Sequence, residues 1–330
     1  MRVSAGVNIV LVAQESAGIQ TLRLVAKTQH QLTAVLTSTE RGEGSKRGVT
    51  VGAVARELGI PVLPAELVKD PTLGAELRQQ RVDVLLNVHS LYLIDATVLS
   101  APRIGSFNLH PGALPEYAGL NVPSWAIYQG GTRHSVTLHW MASKVDAGPI
   151  AFSASFPLMP TDTALSVYAK CVQHGIPLIS QLLEILNHAL PLIPAVEQDL
   201  ARRHYFGKNV PHDGWVPWWL SAKQVVDFVR ACDYGPWQSP WGNPRTVISG
   251  TEIAILKASF TGEETSVLPG TVGIPDGDGV RVAAADEWVV VRQLRIDGRS
   301  IPAGRVLNVG DSLAAGNDAK YRGAASTTTY

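Results

Sequence analysis

The chain has 330 residues, more than one hydrophobic core usually fills, so two domains are expected. Hydrophobic residues make up 45% and charged residues 17%, the balance of a soluble globular protein, and no apolar run reaches the roughly 18 residues of a membrane span. With 28 basic and 28 acidic residues the net charge is zero, and residues 202–330 alone hold 14 basic against 13 acidic. The basic surplus that normally supplies nucleic-acid affinity is therefore missing, so neither nucleic acid nor membrane is expected as a partner. The N-terminus shows no basic stretch followed by a secretory apolar core. Cys171 and Cys232 form neither a disulfide framework nor a zinc spacing, which suits two reduced thiols in a cytoplasmic protein.

Val7 to Ala13 is a β-branched run of strand length, and Gly18 to Lys27 carries Ile19, Leu22, Val25 and Ala26 at helical spacing. Gln31 to Thr37 reads as a second strand. Arg41 to Gly48 is rich in glycine and charge, but its spacing fits neither a dinucleotide fingerprint nor a P-loop, so a surface loop is the better reading than a phosphate cradle. Val51 to Leu58 is a helix, Pro61 to Pro64 a short strand, Leu73 to Gln80 a helix and Val82 to Val88 a buried strand. This alternation predicts parallel strands with helices on both faces.

Gly105 to His110 is the next strand, followed by a helix over Pro123 to Gln129 and strands over Ser135 to Met141 and Pro149 to Phe156. Thr163 to Leu186 has the apolar period of a long helix, in which Cys171 and His174 pack. The stretch 191–212 reads as a linker, with His204 and His212 on its surface. Ser221 to Cys232 is an amphipathic helix. From Arg245 to Asp311, short β runs separated by glycine turns have the grammar of a small barrel. Asp276-Gly277-Asp278-Gly279 lacks the spacing of a calcium loop and reads as a hairpin turn. The predicted organisation is a domain over 1–190, a linker over 191–212, a second domain over 213–313 and a disordered tail over 314–330.

In an extended segment side chains alternate faces, so Asn108 and His110 point the same way where their strand ends at Pro111. Histidine exchanges protons near neutral pH, and an asparagine amide can donate to an oxyanion. A carboxylate such as Asp146 would orient the imidazole and raise its pKa. No serine or cysteine sits in a nucleophile motif and no second histidine has metal spacing. The set suits direct attack on a carbonyl, although an Asn-x-His pair taken alone is more often structural than catalytic. His139, on the strand entering the Asp146 loop, reads as a core residue or a support for the site.

The ordered motifs Asn108-Leu109-His110-Pro111, Leu114-Pro115-x-Tyr117-x-Gly119, Pro123-x-Trp125-Ala126-Ile127, Val136-Thr137 and Val145-Asp146-Ala147-Gly148-Pro149-Ile150 resemble the folate-dependent formyltransferase family. Weaker similarity runs on through Asp213-Gly214-Trp215, residues 225–242, Gly298-x-x-Ile301-Pro302 and Gly310-Asp311. The resemblance implies an α/β architecture: a Rossmann-like parallel or mixed sheet domain followed by a small OB-like β-barrel. It also implies 10-formyltetrahydrofolate as formyl donor, no metal, and Asn108, His110 and Asp146 as the catalytic set. The pterin would be held largely by backbone groups of Leu91, Tyr92, Leu93 and Ile94, and closed in by Ser143, Lys144 and Val145.

The chain departs from the family where Ala118 and Glu116 occupy frequently basic positions, which with the balanced charge argues against tRNA as acceptor. Gln14 to Gly18 departs from the usual glycine-containing first turn. The expected function is N-formylation of a small-molecule amine or hydroxylamine: an amino sugar, an amino acid or a carrier-bound aminoacyl group. Formyltetrahydrofolate hydrolysis, methionyl-tRNA formylation and folate binding without catalysis are the alternatives. Trp215, Trp218, Trp219, Trp237 and Trp241 read as packing residues or, alternatively, as a stacking surface. The acceptor's identity is not encoded legibly, and a homodimer is left open.

Overall fold

The computed structural model describes residues 6–38 and 49–315. The loop 41–48 and the tail beyond 315 lie outside the described residues. The chain forms two compact units. The first comprises residues up to Val122, Arg133–Pro157 and Tyr168–Gly207; the second comprises Pro123–Thr132, Leu158–Val167 and Lys208 onward.

The first unit is built on β1 (Asn8–Ala13), α1 (Glu15–Val25), β2 (Gln31–Thr37), α2 (Val51–Glu57), β3 (Val62–Pro64), α3 (Pro71–Gln79), β4 (Val84–Val88), α4 (Ala96–Leu99) and β5 (Gly105–His110). After β6 (Ala118–Gly119) the chain forms α5 (Val122–Tyr128), which from Pro123 on belongs to the second unit. Then come β7 (Arg133–Trp140), β8 (Ile150–Pro157), α6 (Ala164–Ile185), which belongs to the first unit from Tyr168 on, and β9 (Tyr205–Phe206). The main sheet runs β3-β2-β1-β4-β5-β7-β8. Its first five strands are parallel and the last two antiparallel, so the sheet is mixed. β1 is buried along nearly all its length because helices cover both faces, which is why it reads as an uninterrupted apolar run. Val10, Val12, Leu36 and Leu85 pack with Leu73, Leu77 and Val98 of α3 and α4. On α6, Gly175 lies against Leu109 and Val136, where a Cβ would sit 2.9 Å from the Leu109 side chain.

Two strands, β2 and β5, span the residues expected from the sequence. Helix ends shift because caps, not apolar spacing, set them. α3 begins at Pro71 because Asp70 accepts from Thr72 N at 2.9 Å. α1 takes in the polar turn from Glu15 that carries no apolar period. α4, four residues capped by Asp95, and the pair β6–β9 were not anticipated.

The second unit holds α7 (Ala222–Ala231), started by the Ser221–Gln224 capping box, and β10 (Arg245–Ile248), β11 (Thr251–Glu264), β12 (Val272–Asp276), β13 (Gly279–Ala283), β14 (Glu287–Ile296), β15 (Arg299–Pro302) and β16 (Leu313–Ala314). The strands form an antiparallel sheet in the order β12-β13-β14-β11-β10-β16, with β15 on β14. A single bridge, Thr271 to Ser312, joins the two ends of that path. Val225, Val226 and Val229 of α7 pack with Ile253, Ile255, Val289 and Val291 in one core. Asp276 to Gly279 is the β12–β13 hairpin turn. Ala314, expected in the tail, pairs with Val247, and Ala315 is buried. Among the described residues no helix is long and apolar enough to cross a membrane.

Candidate active site

β5 lies in register with both neighbours, so Asn108 stands beside Asn87 of β4 and His139 of β7. Asn87 Nδ2 donates to Asn108 Oδ1 at 2.8 Å, which turns the Asn108 NH₂ toward the rim. There it lies 3.1 Å from His139 Nε2 and 3.5 Å from Asp146 Oδ1. His110, two residues on, donates from Nε2 to the Tyr117 carbonyl at 2.6 Å. Its other nitrogen, Nδ1, is 3.6 Å from Asp146 Oδ2. Asn108, His110 and Asp146 therefore meet around one point at the C-terminal end of β5.

The glycines of the motifs make that meeting possible. A Cβ on Gly112 would fall 2.5 Å from both His110 Nε2 and the Tyr117 oxygen, so only glycine leaves room for their hydrogen bond. Gly119 has φ +96°, and a Cβ there would strike the Phe206 oxygen at 2.2 Å; its N–H donates to Asp146 Oδ2 at 2.9 Å. Asp146 itself sits in the left-handed region at φ 52°. Gln198 holds it there, donating to the Asp146 and Gly148 carbonyls at 3.0 and 2.6 Å, while Arg203 donates to the Val145 carbonyl at 2.9 Å. These braces come from the stretch read as linker, where no periodicity marks them.

Burial alone would raise the Asp146 carboxyl. His110, the hydrogen bond and charge of His139 and the Gly119 N–H outweigh that burial and hold it well below the usual carboxylate range. His110 was expected to be raised by that carboxylate. Its burial is the larger effect and leaves it lowered, with Asp146 and the Tyr117 carbonyl only partly offsetting it. The resting pair is thus an ionised carboxylate beside a neutral, buried imidazole. His139 is 1% exposed; it donates from Nδ1 to the Trp140 carbonyl at 2.7 Å and so turns Nε2 onto Asn108 and Asp146.

Leu91 and Leu93 are 80% and 68% exposed, whereas Tyr92 and Ile94 turn inward against the core of α3 and α4. Ser143, Lys144 and Val145 are all exposed on the loop before Asp146. Just ahead of Leu91 in the chain, Asn87 Oδ1, His89 Nε2 and Ser90 Oγ are buried atoms without a hydrogen-bond partner among the described residues. Neither Asn87 nor His89 was singled out from the sequence, since nothing in their spacing shows which strand they will border. His204 is exposed as expected. His212 is not a surface residue: it accepts or donates at 2.9 Å with the Tyr128 hydroxyl and packs edge-on against Trp219 and Phe228. Trp218 and Trp241 are buried, and Trp218 donates to Thr246 Oγ1; Trp237 stays 58% exposed, so the five tryptophans form no single surface.

The formyl transferase family model matches residues 4–183, and the formyl transferase C-terminal domain model matches residues 209–310. The chain belongs to the formyl transferase family. It is accordingly a transferase, as expected from the sequence. Its fold is shared with the N-formyltransferase from Helicobacter canadensis solved with folinic acid and dTDP-3-aminofucose (16% identity, TM-score 0.66, 86% of this chain and 98% of that one). It is shared equally with WlaRD, a sugar 3N-formyltransferase solved with dTDP and 5-N-formyl-THF (15% identity, TM-score 0.66, 87% and 98% covered). HypX from Aquifex aeolicus in complex with tetrahydrofolic acid aligns over 92% of this chain but only 47% of its own length (18% identity, TM-score 0.62).

Proposed function

We propose that this formyltransferase moves the formyl group of 10-formyltetrahydrofolate onto the nitrogen of a small-molecule acceptor, with amino sugars the first class to test. The observation that carries the reading is the convergence of Asn108, His110 and Asp146 on one point at the rim of the first sheet. The sugar N-formyltransferases that share the fold support the acceptor class. The folate donor supplies a carbonyl carbon bonded to a nitrogen that can leave. The apolar faces of Leu91 and Leu93, with the unpartnered Ser90 Oγ, offer a place for its ring, closed by residues 143–145.

Asn108 Nδ2 donates to the carbonyl oxygen as the nucleophile adds and negative charge gathers there; removing such a donor typically costs about 10²–10³ in rate. His110, neutral at rest, takes through Nδ1 the proton shed by the attacking nitrogen and returns it to the departing one. Asp146 stabilises the imidazolium only during that interval. Holding both reactants against the three groups supplies the rest.

The test is tetrahydrofolate release from 10-formyltetrahydrofolate with a panel of dTDP-3-aminofucose, free amino acids, hydroxyornithine and aminoacyl-tRNA. Acceptor-dependent release with a small amine is the expected result. Equal release without any acceptor would make the protein a hydrolase, and release only with aminoacyl-tRNA would overturn the small-acceptor class.

A further inference from the structure

A second polar chain runs from the same rim to solvent. Tyr168 of α6 donates its hydroxyl hydrogen to Glu15 Oε2, and its oxygen meets His89 Nδ1. A carboxylate can only accept, so the phenol hydrogen points at Glu15 and His89 Nδ1 must carry the hydrogen of the next bond. Burial, with a smaller effect of His110, pushes His89 down to about 4, so the ring is neutral and Nε2 is a bare acceptor. That atom is buried and unpartnered, as is Asn87 Oδ1 two residues earlier. Val88, the last residue of β4, pairs with Leu109, so His89 leaves the end of β4 next to the strand that carries His110. Glu15 and His89 are both held in the left-handed region, at φ 58° and 55°. That conformation is costly for a residue with a side chain and persists only where its surroundings enforce it.

The two reacting atoms need opposite partners. A developing oxyanion needs donors, which Asn108 provides; an incoming nitrogen brings N–H hydrogens and needs acceptors, which His89 Nε2 and Asn87 Oδ1 provide. A primary alkylamine reaches a neutral solution as ammonium, with no lone pair to attack. We propose that His89, Tyr168 and Glu15 form a proton relay that receives the acceptor as an ammonium ion and strips it for attack. One N–H proton passes to His89 Nε2, the Nδ1 hydrogen to the Tyr168 oxygen, and the phenol hydrogen to the Glu15 carboxylate. Exposed Glu15 then releases it to water, the acceptor becomes a neutral amine, and the ring regains its first tautomer through water as product leaves. The acceptor is thereby a primary amine that arrives as its ammonium ion.

This inference rests on the formyl-transfer reading, and its test separates the two. Glu15→Gln and Tyr168→Phe are assayed with dTDP-3-aminofucose and with hydroxyornithine, whose hydroxylamine arrives neutral. Each variant should lower kcat with the amino sugar about 10²-fold, in the range of lost proton transfer. The loss with hydroxyornithine should be at least about tenfold smaller, and the KM for 10-formyltetrahydrofolate should stay within about twofold. Glu15 is exposed, so its variant keeps the test open should Tyr168→Phe fail to fold. Equal losses with both acceptors, unchanged kcat, or a rise confined to the folate KM would overturn the relay alone. A wild type that formylates hydroxyornithine only would also overturn it, and one that formylates no amine would overturn the relay and the reading beneath it.

Discussion

Asp227 of the second unit and Asp146 of the first are equally inaccessible, 2% and 8% exposed, yet their partners differ in kind. Asp227 meets Lys223 and Arg230, each at 2.5 Å, on its own helix. Both partners are cations on α7 itself, so the cluster serves the fold. Asp146 meets two imidazoles, His110 at 3.6 Å and His139 at 3.5 Å, together with the Asn108 amide and the Gly119 N–H. A buried carboxylate with fixed partners locks a structure; one with titratable partners can take part in moving a proton.

Mutations can break that comparison at either end. The largest effect on transfer is expected from His110→Ala, a fall of about 10³-fold in kcat with fold retained, because the proton then has no carrier. Single-turnover kinetics and circular dichroism check both halves of that statement. Asn108→Ala should cost about 10²-fold by removing the donor to the oxyanion, with little change in the folate KM. Asp227→Ala should do the reverse: about 2 kcal/mol less stability in urea unfolding, from leaving Arg230 short of a partner, and unaltered chemistry per folded molecule.

The pH dependence sharpens the same contrast. His89 and His134 are pushed by burial down to about 4. Below about 6.5 the unfolded chain binds protons on these rings that the native protein refuses, so stability should fall between about pH 6.5 and 4. His134→Gln should flatten that fall, as read from urea midpoints. Asp146 acts lower: its depressed carboxyl adds stability above the unfolded value of about 3.9, and this is lost as the pH drops below it. The smallest effect belongs to Glu263→Ala. Glu263 is 57% exposed beside Arg281, and surface pairs of this kind, screened by water, contribute little to the urea midpoint.

The sequence made the periodic parts of this molecule legible. β2 and β5 were placed to the residue because β-branched runs and alternation mark strands locally. The convergence of Asn108, His110 and Asp146 rested on motif resemblance, since residues 36 apart in sequence have no local signal of contact. What stayed hidden depends on long-range packing. Gln198 and Arg203 look like linker residues until β9 docks on β6 and brings them to the Asp146 loop. The neutral state of His110 was misread because burial, invisible in a motif, outweighs the carboxylate that the motif displays. His89 gave no sign of itself, because its importance lies in one buried nitrogen with no partner.

The central claim is geometric, and a crystal structure of the protein with 5-formyltetrahydrofolate, which cannot transfer its formyl group readily, tests it most directly. The account predicts the formyl oxygen within hydrogen-bond reach of Asn108 Nδ2 and the formyl carbon facing His110 Nδ1, with the pterin between residues 91–94 and 143–145. A folate bound with its formyl group remote from residues 108, 110 and 146 would contradict it.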